Sequence, residues 1–176
     1  PDAPYTITDD STGGDCQHIG TWNSGSKTCT LTSAFSSTGH GIIIDDNNIT
    51  IDGAGYTITG DGGSNDMGVD ARYRDNVTIK NLTVKEFGVG VQVSNGEDNK
   101  ITSMTIVDNS VDGIYAEYES ELTITDNNIS SNDRNGITFN GGTGIQMCGG
   151  GSAFLVQNNS VASNTGNGIE AFNHSG

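Results

Sequence analysis

At 176 residues the chain is long enough for one domain with a core of its own. Its 22 acidic against 7 basic residues give a net charge of −15, which excludes nucleic acid and anionic membrane surfaces as partners, because phosphates are held by Lys and Arg. No run of 18 apolar residues occurs, so membrane insertion as a helix is excluded too.

Only 32% of the residues are apolar and 26 are Gly, yet the apolar residues recur at regular places, so a thin repetitive core is expected and not disorder. The start at Pro1, without methionine or an apolar leader, reads as a mature secreted chain or a trimmed one.

In chain order, residues 1–40 form an N-terminal end piece, and 41–176 the repeated part. Tyr5-Thr6-Ile7-Thr8 and Cys29-Thr30-Leu31-Thr32 alternate like strands, with Trp22 in the Gly/Ser/Asn-rich loop between Cys16 and Cys29. Closing that loop as a disulfide stabilises by roughly 3 kcal/mol in the chain-entropy model and suits an oxidising, extracellular setting. Cys148 is left over.

From Gly41 onward a glycine-led strand recurs at Gly41, Gly68, Gly90, Gly113, Gly136 and Gly168, with spacings of 27, 22, 23, 23 and 32. Periods of this size mark a solenoid whose repeats bury their apolar faces only by stacking. Each lead strand points two residues inward around one outward, and the outward column is Ile43, Asp70, Gln92, Tyr115, Thr138 and Glu170. A second strand carries Ile51, Ile79, Ile101, Ile124 and Val156 inward. A third carries Ile58, Val84, Ile106, Ile129 and Val161. Asn109, Asn132 and Asn164 recur at one turn, where stacked amides can bond one another. Three strands per coil of about 22–23 residues predict an all-β chain, a parallel β-helix with three sheets.

The run from Ile124 to Ile137, with Ile129, Asn132 and Gly136 inside it, and its copy from Val156 to Ile169 resemble the right-handed parallel β-helix repeat family. The resemblance covers about 41–176. It implies secreted or cell-surface proteins, among them polysaccharide lyases, hydrolases, epimerases and carbohydrate-associated domains, and it says more about fold than about function. The segment from Asp15-Cys16 to Thr32 also resembles the start of secreted archaeal β-helix proteins.

Candidate sites lie mostly where the period breaks. Asp61, Asn65 and Asp66, in a Gly-rich loop of hard oxygen donors, are the calcium candidate. Gly39-His40-Gly41 matches a short element of β-helical polygalacturonases, but the other elements of that motif are missing, so a turn is expected. Asp9-Asp10 and Asp45-Asp46 read as solvated turns, and Arg72 and Arg74 as ion-pair partners beside Asp70 and Asp75. No catalytic residue is assigned. Asn48, Asn76, Asn81, Asn128, Asn158 and Asn173 head glycosylation sequons, although Asn before an Ile/Val-Thr strand also arises from the repeat itself. Tyr73, Tyr115 and Tyr118 are the candidate sugar-stacking rings, with Tyr115 alone placed outward by the register.

The insertion 140–151 carries Cys148, and the coil begun by Gly168, Ile169, Ala171 and Phe172 stops after one strand. These residues are the expected assembly interface. The expectation is therefore a secreted or cell-surface structural module that associates with itself end to end, into a filament. The alternative is a carbohydrate-active or carbohydrate-binding protein, lyase- or epimerase-like, acting on acidic polysaccharide.

Overall fold

The computed structural model describes residues 3–141 and 154–172. The first turn of chain contains β1 (Tyr5–Ile7), α1 (Cys16–Ile19), β2 (Gly20–Asn23), β3 (Thr28–Leu31) and β4 (Phe35–Ser36). Five coils of three strands follow. They are β5 (Ile42–Ile44), β6 (Thr50–Asp52) and β7 (Thr57–Thr59); β8 (Met67–Arg72), β9 (Thr78–Lys80) and β10 (Thr83–Lys85); then β11 (Val89–Ser94), β12 (Lys100–Thr102) and β13 (Thr105–Val107). Above them lie β14 (Ile114–Glu117), β15 (Thr123–Thr125) and β16 (Asn128–Ser130), then β17 (Ile137–Asn140), β18 (Leu155–Gln157) and β19 (Ser160–Ala162), with β20 (Ile169–Phe172) on top.

Every coil gives one strand to each of three sheets. Sheet 1 runs β1-β5-β8-β11-β14-β17-β20, sheet 2 runs β2-β3-β6-β9-β12-β15-β18, and sheet 3 runs β4-β7-β10-β13-β16-β19. All pairings are parallel except β2 with β3. The expected register holds. Val91 stands over Val69 and under Ile114, and Ile101 lies between Ile79 and Ile124. Their side chains fill the inside of the coil and are buried. A core one side chain wide explains how so few apolar residues suffice.

The lead glycines from Gly41 to Gly136 are required by close approach, not by an unusual φ. A Cβ on Gly90 would run into the Ile106 side chain and sit 2.6 Å from the Gly113 carbonyl of the next coil. The corners use left-handed backbone instead. Asn48, Asn76, Asn81 and Asn158 have φ between 53° and 64°, a region Asn tolerates well. This conformational demand accounts for four of the sequon asparagines, and all five described ones are exposed. The sixth, Asn173, lies outside the described residues.

The asparagine turn forms a ladder. Asn109 Nδ2 donates to Asn132 Oδ1, and Asn132 Nδ2 to Asn164 Oδ1, each at 2.9 Å, while each of these Oδ1 atoms also accepts a backbone N–H from the coil below. A second ladder, Asn127 to Asn159 at 2.9 Å, stands at the corner between sheets 2 and 3. Its two members stand 32 residues apart, off the regular period, which hides the ladder in the sequence.

Segment 5–36 both starts the stack and closes it. The Cys16–Cys29 disulfide is formed, and α1 buries Cys16 and Ile19 against the first coil. The outer edge of β1 is occupied, since Thr6 N–H donates to Asp15 Oδ2 and Asp15 N–H to the Thr6 carbonyl. Sheet 2 ends in the antiparallel strand β2. At the opposite end, Val156 and Val161 are half-buried and Leu155, Ile169 and Phe172 about half exposed.

Candidate ligand-binding face

The outward face of sheet 1 collects the polar side chains that the repeat does not consume. Two columns face out along it. One contains Asp70, Gln92, Tyr115, Thr138 and Glu170, and the other Arg72, Ser94, Glu117, Asn140 and Phe172. The first column was expected to be solvent-facing, yet Asp70 and Thr138 are buried at 5% and 2% exposure. The Arg72 guanidinium folds over Asp70 and donates from Nε and Nη2 at 2.9 and 2.6 Å. Asn135 Nδ2 covers Thr138 with a 3.0 Å bond to Oγ1.

Toward β20 these columns frame a pocket of about 380 Å³ lined by Tyr115, Arg134, Thr138, Asn140, Glu170 and Phe172. Its polar groups are already oriented. Asn140 Nδ2 donates to Tyr115 Oη at 2.8 Å and to Glu117 Oε1 at 2.9 Å. Glu170 accepts from Asn135 at 2.6 Å and from Asn167 at 3.0 Å. Arg134 reaches in from the corner before β17, held from below by Asp112, which is fully buried and pairs with both Nε and Nη2. That hydrogen-bonded pairing raises the Arg134 pKa further, with Glu170 adding to it.

The sequence candidates fall elsewhere. Arg74 pairs with Asp45, not Asp75, and Asp46 accepts the Asp9 N–H at 2.8 Å. His40 Nδ1 accepts the Met67 N–H at 3.0 Å and lies 3.8 Å from Asp66, so the histidine holds a turn. In the proposed calcium loop, Asp61 Oδ1 accepts the Gly63 N–H at 3.0 Å and Asn65 is exposed. Among the described residues, the acidic side chains whose oxygens lie within 4.8 Å of one another as a group of three are Glu97, Asp98 and Glu121, at the corner between sheets 1 and 2. The bond to Asp98 pushes the Glu121 carboxyl up. Next to them Glu119 is buried, accepting from Gly96 N–H at 2.9 Å and Asn99 Nδ2 at 2.8 Å; burial raises its pKa to about 7.

Tyr115 faces outward as expected. Tyr73 and Tyr118, left unplaced by the register, are the more exposed rings, at 66% and 52%. Tyr118 lies against Gly141, where any Cβ would meet the ring. Cys148 and most of the insertion lie outside the described residues.

Arg134, Glu117 and Asn140 were missed as site residues. The outward column already contained Tyr115, Thr138 and Glu170, but the residues two positions further along the strands were not read as a column. Arg134 belongs to a turn, whose direction no strand period reveals.

The family model for the right-handed β-helix region matches residues 17–176, and the chain belongs to that family. Comparison with curated proteins and with solved structures returned no match. No helix among the described residues is long and apolar enough to cross a membrane.

Proposed function

We propose that this β-helix is an extracellular saccharide-binding module that uses the outer face of sheet 1. One observation carries the reading: a pocket beside the rings of Tyr115 and Phe172 in which Asn140 is bonded to Tyr115 and to the neighbouring Glu117, and Glu170 is held by Asn135 and Asn167. Sugar hydroxyls pair with fixed planar acceptors and donors, and their C–H faces pack on aromatic rings, so a pre-oriented polar shelf with aromatic walls suits them. Glu117 and Glu170 stand on strands two spacings apart, about 9–10 Å between main chains before a two-residue offset, wide for the close carboxylate pair of a retaining hydrolase. The disulfide supports an oxidising location.

The test is titration of the whole chain with a panel of oligosaccharides by calorimetry. Tyr115→Ala should weaken the best ligand about tenfold or more, with the circular dichroism unchanged. A panel in which nothing binds sinks the reading.

A second reading, self-association, is favoured by the exposed Leu155, Ile169 and Phe172 on the last strands. The first coil ends in a β1 bonded by Asp15 and an antiparallel β2, unlike the parallel last strands, so the proposed contact pairs the β18–β20 faces of two copies into a dimer, not a filament. Sedimentation should show a concentration-dependent dimer that Ile169→Asp abolishes; a monomer at all concentrations removes this reading.

A further inference from the structure

We infer that the sheet 1 face selects a glycan bearing protonated amino groups and rejects uronates. This rests on the saccharide reading above and names its ligand class.

The chain has seven basic side chains. Six of them are tied to a carboxylate: Lys27 to Asp9, Arg72 to Asp70, Arg74 to Asp45, Lys80 to Asp52, Lys85 to Glu86 and Arg134 to Asp112. Lys100 alone has no ion pair among the described residues, and it lies on sheet 2. A uronate carboxylate would therefore have to recruit Arg72 or Arg134. Each is held through two of its nitrogens by an aspartate that is 5% or 0% exposed. A uronate that leaves these pairs intact reaches only Nη1 of either guanidinium, whose charge the aspartate already compensates, while withdrawing the guanidinium would strand a buried charge.

The carboxylates on this face are in the opposite position. Glu117 takes its bonds from Asn140 and Tyr115, and Glu170 from Asn135 and Asn167, all of them neutral donors. These donors orient the two carboxylates without neutralising them. Arg134 lies close enough to feel Glu170, but Asp112 already holds it. The face thus carries two carboxylates in excess, on a chain of net charge −15. A second acid is repelled there. Ammonium groups on different residues of an oligosaccharide find one carboxylate each, beside the faces of Tyr115 and Phe172.

The experiment compares three oligosaccharides of equal length: glucosamine, its N-acetylated form and galacturonate. It is run below the pKa of the sugar amine, once with a chelator and once with calcium. A poly-lysine of similar charge is run alongside. The glucosamine oligomer should bind about tenfold tighter than the N-acetylated one, and galacturonate not at all. In a Glu117→Gln, Glu170→Gln double variant the preference of the glucosamine oligomer over the N-acetylated one should fall below about threefold. The comparison within the unaltered chain stands alone should the variant not fold. Galacturonate binding in either buffer, an amine preference that survives both substitutions, or equal binding of poly-lysine overturns the inference. Silence from all three sugars instead removes the saccharide reading on which it rests.

Discussion

Glu119 is the residue whose charge this fold accommodates least. Its carboxyl is buried between coils, bonded to Gly96 N–H and Asn99 Nδ2, with the Asp75 charge nearby and no cation in reach among the described residues. Burial raises its pKa from 4.5 to about 7, so the folded state holds the proton more tightly than the unfolded one. The stabilisation from this group is full below pH 4.5 and is lost as pH rises to about 7. Glu119→Gln removes the titration. Its amide nitrogen faces a donor, Asn99 Nδ2, which is fixed by its second bond to the Arg74 carbonyl at 2.8 Å, so the cost is constant with pH. Denaturant unfolding from pH 4 to 8 should show a decline on the order of 3 kcal/mol in the parent chain that is absent in the variant. Parallel curves would refute it. Nothing in the sequence distinguishes Glu119 from Glu117 or Glu121, because one residue of rotation around a corner decides which of the three faces inward.

At the scale of elements, the strands were legible, β1 and β3 among them, but the first coil was not legible as a coil. Ile51, Ile79, Ile101 and Ile124 repeat with their flanking threonines, and a period of two reports a half-buried strand directly. β1, β3 and β4 take the same places in the three sheets, but no lead glycine announces them and a helix and hairpin interrupt their spacing. Their partners lie in the next coil, so pairing is decided by non-local hydrogen bonds that a local pattern does not contain. The cap they form depends on the Cys16–Cys29 bond, which closes a separation of 13 residues under α1. Replacing both cysteines with Ala should lower stability by about 3 kcal/mol, measured by denaturant unfolding, with sheets 1–3 preserved by circular dichroism. An unchanged midpoint would show that α1 and β2 hold the end without it.

For the whole molecule, charge is partitioned, not merely in excess. Basic groups are spent on ion pairs with neighbouring loops and coils, as in Arg74 with Asp45 and Lys80 with Asp52, while many carboxylates face solvent. That division makes selectivity for a cationic ligand a property of the assembled surface. It also bears on self-association, since two chains of net charge −15 repel, and the proposed dimer should strengthen with added salt. The repeat, its three sheets and its inward columns were determined by the sequence alone, because stacking identical coils turns a one-dimensional period into a three-dimensional core. The pocket was decided only by the tertiary structure. Tyr115, Asn140, Arg134 and Glu170 come from different coils and corners, and their side chains meet because parallel stacking brings residues 19 to 36 positions apart into neighbouring layers.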